Sequence, residues 1–299
     1  MKKAVKSVVI CLLFVALYFG IQFVVSGVVN GVMDYQEIVK MQAEGFEINT
    51  QEGAEEYARR AAQVLSSTMG MVNFIASVIA SGIFVGMAVS SRKRAAKKEG
   101  ITENRAQRWS KAGEELGLKK ITLRKTLLAV LAGIGMTTLI QGVLSVIPFP
   151  EWLMQSYSSA SAPISGMNLI GQLIGIVLVP AVAEELLFRG IVLGRLKKVM
   201  PVWAAVLLSA LLFGLVHGNL LWICYTLVMG VLVALIDLKY ESILPGMIMH
   251  FIFNLSGVLM SGLMLPYVVY FGFILIGLGC LAFTMTGRDL KGGGRLAAI

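Results

Sequence analysis

Long apolar runs recur along this chain, at residues 7–33, 69–90, 126–148, 167–194, 201–217, 219–238, 243–263 and 265–286. About 20 apolar residues are enough to cross a bilayer as helix. In lipid every backbone N–H and C=O must find a partner within the protein, and a helix supplies those partners from its own segment. A transmembrane β-barrel would instead show ten-residue stretches of alternating polarity, and none is apparent. The runs therefore predict an all-α protein, a polytopic transmembrane helical bundle of about eight spans. Composition agrees: 14% of residues are charged, against about 25% in a soluble domain, and the mean hydropathy is +0.80.

The formal charge of +9 raises the question of nucleic acid, and the distribution of that charge argues against it. Residues 91–125 hold twelve Lys or Arg against four Glu, whereas residues 34–60 hold seven acids against three bases. Basic loops stay on the cytoplasmic side of a membrane, and they attract anionic lipid headgroups. The expected partners are thus membrane lipids rather than nucleic acid. Alternating the spans from an inner N-terminus also puts Arg195, Lys197 and Lys198, then Lys239, then Arg288, Lys291 and Arg295 inside. Both termini are expected in the cytoplasm. The compact size and short loops point to the plasma membrane of a bacterium.

Three regions follow. Residues 1–125 form an N-terminal membrane region with two spans, an acidic outer loop and a basic cytoplasmic loop. Residues 126–286 form a membrane core, and residues 287–299, with three consecutive glycines, a flexible cytoplasmic tail. The first run is longer than a signal-peptide core and lacks a clean small-residue cleavage site, so it reads as a retained helix. The segment 34–66 reads as a surface helix, and 91–125 as a helical hairpin or solvated linker. Cys11, Cys224 and Cys280 sit in apolar runs without metal-ligand spacing, and read as small core residues.

Ionisable residues inside a span are costly and mark function by default. With loop and boundary residues set aside, Glu184, Glu185, Arg189, His217 and His250 remain in the core. Glu185 and Arg189 are four residues apart with the acid first, the favoured orientation for a helical ion pair. Glu184 lies about 100° further round, so it lacks that counter-charge, and an unpaired carboxylate in an apolar place suits a general base. His250 and Asn254 share one helix face, as do Phe213 and His217. An imidazole beside a carboxamide can donate two hydrogen bonds to an oxyanion. The two histidines with Glu184 would equally make a zinc site with an open position, although no HExxH is present. Residue counting does not bring the three together. At about 1.5 Å per residue, Glu184, His217 and His250 stand about 16, 24 and 12 Å from their inner boundaries.

The motifs resemble those of a known family. Glu184, Glu185 and Arg189 stand as EExxxR, Phe213 and His217 as FxxxH, and His250 and Asn254 as HxxxN. In that order, on successive apolar helices, they resemble the CAAX protease and bacteriocin-processing family of intramembrane proteases. The resemblance spans roughly residues 165–260. It implies an intramembrane endopeptidase acting on a membrane-associated or lipidated peptide or protein. Glu184 and His217 would activate the attacking water, and His250 and Asn254 would hold the oxyanion. Glu185 and Arg189, with Phe213, would shape the site. The family has been described both as metal-dependent and as a metal-free glutamate type. No cofactor is favoured, and zinc on Glu184, His217 and His250 is the alternative. A non-catalytic membrane adaptor that keeps the peptidase fold is the competing reading, with partners expected at 34–66 or 91–125. A proton-coupled transporter ranks lower because no second copy of the motif helices is present.

Overall fold

The computed structural model describes residues 2–260 and 266–286. Among them there are ten helices and no strand. They are α1 (Lys2–Ala43), α2 (Gln51–Lys98), α3 (Arg105–Glu115), α4 (Leu123–Val146) and α5 (Glu151–Ser165). A composite helix α6 covers residues 169–196. It is followed by α7 (Val202–Leu215), α8 (Leu220–Tyr240), α9 (Leu244–Met260) and α10 (Tyr267–Thr286). The tail 287–299 and residues 261–265, where the last two apolar runs meet, lie outside the described residues.

Five helices, α1, α2, α4, α8 and α10, are long and apolar enough to cross a membrane. Their outward side chains are those of a lipid-facing surface: Phe23 is 80% exposed and Val268 75%. With no water to drive apolar faces together, helices in lipid associate through close backbone approach at small residues. Gly277 of α10 shows this: a Cβ there would stand 2.5 Å from the Gly135 carbonyl oxygen of α4. The protein is an integral membrane protein.

The N-terminal region differs from the sequence expectation. The segment 34–66 is not a separate surface helix. Both α1, with 42 residues, and α2, with 48, continue well past the apolar stretch. At about 1.5 Å per residue they reach about 63 and 72 Å, twice the roughly 30 Å hydrocarbon core. Their acidic ends meet in a short turn. Thr50 caps α2 by accepting from the Gly53 N–H at 3.1 Å, and Arg60 pairs with both Glu56 and Glu44. At the other end, α2 and α3 form the expected hairpin, tied by Arg92 to Glu103.

That hairpin is clamped onto the core. The loop after α3 turns at Gly117, whose φ of +84° suits glycine. Gly117 O accepts from Ile243 N at 2.9 Å, and Lys119 O accepts from Ser242 Oγ at 2.7 Å. Cys11, Phe14 and Tyr18 of α1 and Phe84 of α2 lie in the same apolar cluster as Phe188, Phe213 and Met249. The first two helices therefore form one wall of the core that holds the motif residues.

Two departures from regular helix place those residues. Helix α6 is interrupted by π-helical turns at Leu173–Leu178 and Leu186–Leu193, and the α-helical stretch Val179–Glu185 between them carries both motif glutamates. Such turns recur at functional sites. The first packs on α2 at near backbone contact, since a Cβ on Gly175 would stand 2.3 Å from the Gly70 carbonyl oxygen. Helix α7 has only 14 residues, about 21 Å, and is too short to cross the hydrocarbon core. It ends at Leu215, and His217 falls in the turn that follows, where Gly218 takes φ +73°. Asn219 then caps α8, accepting from the Leu221 N–H at 3.1 Å, while its amide donates to Ser156 of α5 at 3.0 Å.

Candidate active site

Phe213 sits at the centre of the motif residues and is fully buried. Its ring lies 5.0 Å from the His217 ring and 5.7 Å from the His250 ring, both edge-on. The Arg189 guanidinium stacks over it at 4.4 Å, and Phe188 packs at 5.3 Å. Helices α6, α7 and α9 thus converge on one aromatic side chain, although residue counting set their polar groups at different depths.

The two glutamates have different surroundings. Glu185 is completely buried, while the Glu184 side chain keeps 15% of its surface. Glu185 Oε2 stands 3.0 Å from Arg189 Nε, close but not aligned as a hydrogen bond. Its other oxygen accepts from His250 Nδ1 at 2.9 Å. Arg189 also donates from Nη2 to the Gly230 carbonyl at 3.3 Å. Among the described residues, the basic group within ion-pair distance of Glu184 is His250, whose Nε2 is 3.9 Å away. Glu184 and His250 are the charged groups that face His217.

The hydrogen bonds fix the orientation of both imidazoles. His217 Nδ1 lies 2.8 Å from the Phe213 carbonyl oxygen. A carbonyl only accepts, so Nδ1 carries the proton, and in the neutral ring Nε2 has the free lone pair. His250 Nδ1 faces the Glu185 carboxylate, which likewise accepts, so Nε2 points the other way, towards Glu184. Asn254 donates one amide hydrogen to the Ile176 carbonyl in the first π turn at 3.0 Å and has a second to give.

Two residues of this centre were not singled out from the sequence. Asp237 reads as a boundary residue, yet it is buried. Its Oδ1 accepts from the Gly246 N–H at the start of α9 at 2.7 Å, and its Oδ2 has no partner. Glu185 and Arg189 are among the charges around it. Tyr18 of α1 reaches the centre from outside the motif helices, with its hydroxyl 3.4 Å from Glu184 Oε1. Neither had a motif to mark it.

Among the described residues, no three His, Cys, Asp or Glu side chains gather as a set that could hold a metal ion. Glu184, His217 and His250 are not gathered into such a set, although each ring commits Nδ1 to an oxygen acceptor and keeps Nε2 free, an orientation that metal-ligating histidines also show. A cavity of about 1010 Å³ opens at the basic end of the bundle and reaches Arg189 and Asp237, but not Glu184 or the histidines. A shallow apolar crevice of about 130 Å³ runs between α6 and α9, lined by Leu178, Ala181, Val182, Met247, Ile248 and Phe251. Its walls are neighbours in sequence of Glu184 and His250.

Residues 166–256 match a family model described as Type II CAAX prenyl endopeptidase, Rce1-like. Over that stretch the chain is similar to CAAX proteases. All seven motif residues fall within the matched stretch, and Tyr18 falls outside it. No curated protein and no solved structure matched the chain. The likeness supports protease activity on a membrane-associated peptide or protein. The matched stretch accounts for about a third of the sequence, and α1 and α2 complete its walls.

Proposed function

We propose that this protein is an intramembrane endopeptidase that hydrolyses a peptide bond of a membrane-associated or lipidated peptide, using water activated by Glu184 and His217. One observation carries the reading. Of two adjacent glutamates, Glu185 is neutralised by Arg189 and His250, while Glu184 stays partly exposed, stands 3.9 Å from His250 Nε2 and is among the charges around His217. A carboxylate in that position can take the proton of an attacking water, and His217 Nε2 can share or relay it.

His250 and Asn254 are the donors proposed for the oxyanion. For His250 this sets a condition. Its Nδ1 proton is committed to Glu185, so donation from Nε2 requires the doubly protonated ring, and the buried Glu185 carboxylate is the counter-ion that supports this state. The spare amide hydrogen of Asn254 supplies the second donor. Arg189 and Phe213 hold Glu185 and both rings in register. Glu184, His217 and His250 are not gathered as a metal-holding set among the described residues, and we propose a metal-free reaction. The apolar crevice beside the site supports a substrate with a lipid or apolar segment. With the basic end on the cytoplasmic side, both termini lie inside, and a bacterial plasma membrane is the proposed location.

The test is cleavage of a broad peptide library that includes farnesylated peptides, by protein in lipid nanodiscs, read by mass spectrometry. Glu184→Gln should lose about three orders of magnitude in rate with an unchanged melting temperature, and a chelator should leave the wild type active. Equal product from wild type and Glu184→Gln would sink the reading and favour a non-catalytic adaptor. Loss of activity with chelator would move the mechanism to a metal.

A further inference from the structure

We propose that Tyr18 of α1 is a positioning residue of this active site, its hydroxyl donating to Glu184 and holding that carboxylate towards the attacking water. The inference rests on Glu184 being the general base. Tyr18 lies outside residues 166–256, so neither the motifs nor the family match assigns it.

Helix α1 is mostly lipid-facing: Leu13, Val24 and Val28 are more than 60% exposed. Tyr18 lies on its one buried face, with Cys11, Phe14 and Val15, and is itself 4% exposed. A phenol hydroxyl at this depth needs a polar partner, since an unpaired one is costly to bury. The groups around it are Glu184, Gln22 of α1 and Ser77 of α2. If packing alone were required, phenylalanine would fill the same space without a hydroxyl to satisfy.

From the side of Glu184 the contact matters more. Arg189 is turned to Glu185, and so is His250 Nδ1. Among the described residues, Tyr18 is the hydrogen-bond donor to Glu184. A hydroxyl bonded to a carboxylate is a charge-assisted contact, stronger than a neutral one. The 3.4 Å separation is long, as such bonds often are before substrate tightens the site. By occupying Oε1, the phenol leaves Oε2 as the oxygen presented to His250 and to water. Helix α1 thereby contributes to the chemistry as well as to the wall.

The experiment uses the full chain in nanodiscs, with the best-cleaved farnesylated peptide of the library as probe. Tyr18→Phe keeps the ring and removes the donor. It should lower kcat about tenfold or more, leave KM within about twofold and leave the melting temperature in place. A second variant guards against a folding effect: 3-fluorotyrosine at position 18 keeps the shape and makes the phenol more acidic. Its kcat should differ from that of tyrosine, and its ¹⁹F resonance should shift when Glu184→Gln is added. Wild-type kcat in Tyr18→Phe, or no response of kcat and resonance to the fluorinated residue, overturns the proposal. The two failures separate cleanly. An inactive Glu184→Gln beside a fully active Tyr18→Phe removes Tyr18 alone, whereas a fully active Glu184→Gln removes the function reading and Tyr18 with it.

Discussion

The same ion pair occurs twice in this molecule, a glutamate followed four residues later by an arginine. Glu56 and Arg60 stand at the acidic end of α2, 2.6 Å apart. Glu185 and Arg189 stand in the middle of α6, 3.0 Å apart. The first pair is shared: Glu56 also bonds Arg59, and Arg60 also bonds Glu44. Water can replace any partner there. The second pair has side-chain exposures of 0% and 1%, and its remaining contacts are all protein: His250, the Gly230 carbonyl and the Phe213 ring. Sequence spacing is identical, and burial alone separates a solvated helix end from a site. What the buried pair achieves is selection. It ties up one of two adjacent carboxylates and leaves the other for chemistry.

The comparison breaks most sharply at Arg189. Removing one partner of a buried pair strands the other charge, at a cost of about 3–5 kcal/mol. Arg189→Ala should therefore lower the melting temperature in detergent strongly and abolish cleavage. The double variant Glu185→Leu/Arg189→Met removes both charges and should recover much of the stability, since apolar replacement of a buried pair is often neutral. It should not recover activity, because His250 Nδ1 loses its acceptor. Recovery of both would mean that the pair only holds helices together.

A smaller effect is expected at the contact that keeps α6 in place. Gly175 meets Gly70 with backbone against backbone, leaving no room for a side chain. Gly175→Leu forces α2 and the first π turn apart and should cost about 1–3 kcal/mol, as overpacking does. The Ile176 carbonyl that anchors Asn254 moves with that turn. Cleavage should fall further than thermal stability alone would explain. Equal, small losses in both would show that the π turn is held by something other than the Gly70 contact.

The helical class and the order of the motif residues were legible in the sequence, because both are written in local spacing. Four-residue steps gave the Glu185–Arg189 pair and put His250 and Asn254 on one face. What escaped is set by contacts distant in sequence. The first π turn of α6 packs on Gly70, about a hundred positions earlier, and Pro180, the one local sign of an irregular helix, does not say what form the irregularity takes. Asp237 has Lys239 and Glu241 as near neighbours, so it reads as a boundary; only the fold shows its carboxylate turned inward to Gly246. Tyr18 lies in an apolar run where a tyrosine is ordinary, and its partner is 166 positions away. The surplus length of α1 and α2 was hidden for the opposite reason. Their charged ends lack the apolar signal by which spans are recognised, although helix propensity carries the backbone through.

The pair at the helix end gives the smallest expected effect and the cleanest test of the contrast. Arg59 and Arg60 hold the Glu56 carboxyl well below the usual range, down to about 2. A carboxylate held lower in the folded state than in the unfolded one adds stability above its unfolded value. That contribution fades as pH falls from about 4.5 towards about 2. The carboxyl carbon resonance of Glu56 should therefore titrate with a midpoint well below that of an isolated glutamate at low salt. Added salt should move the midpoint back up, because exposed charges are screened. Pairs at a helix end contribute little in water, so Glu56→Gln should lower the melting temperature only slightly and leave cleavage unchanged. A clear loss of either would place the acidic end of α2 in contact with something that the lipid-facing helices do not provide, and position along the helix, more than burial, would then separate the two pairs.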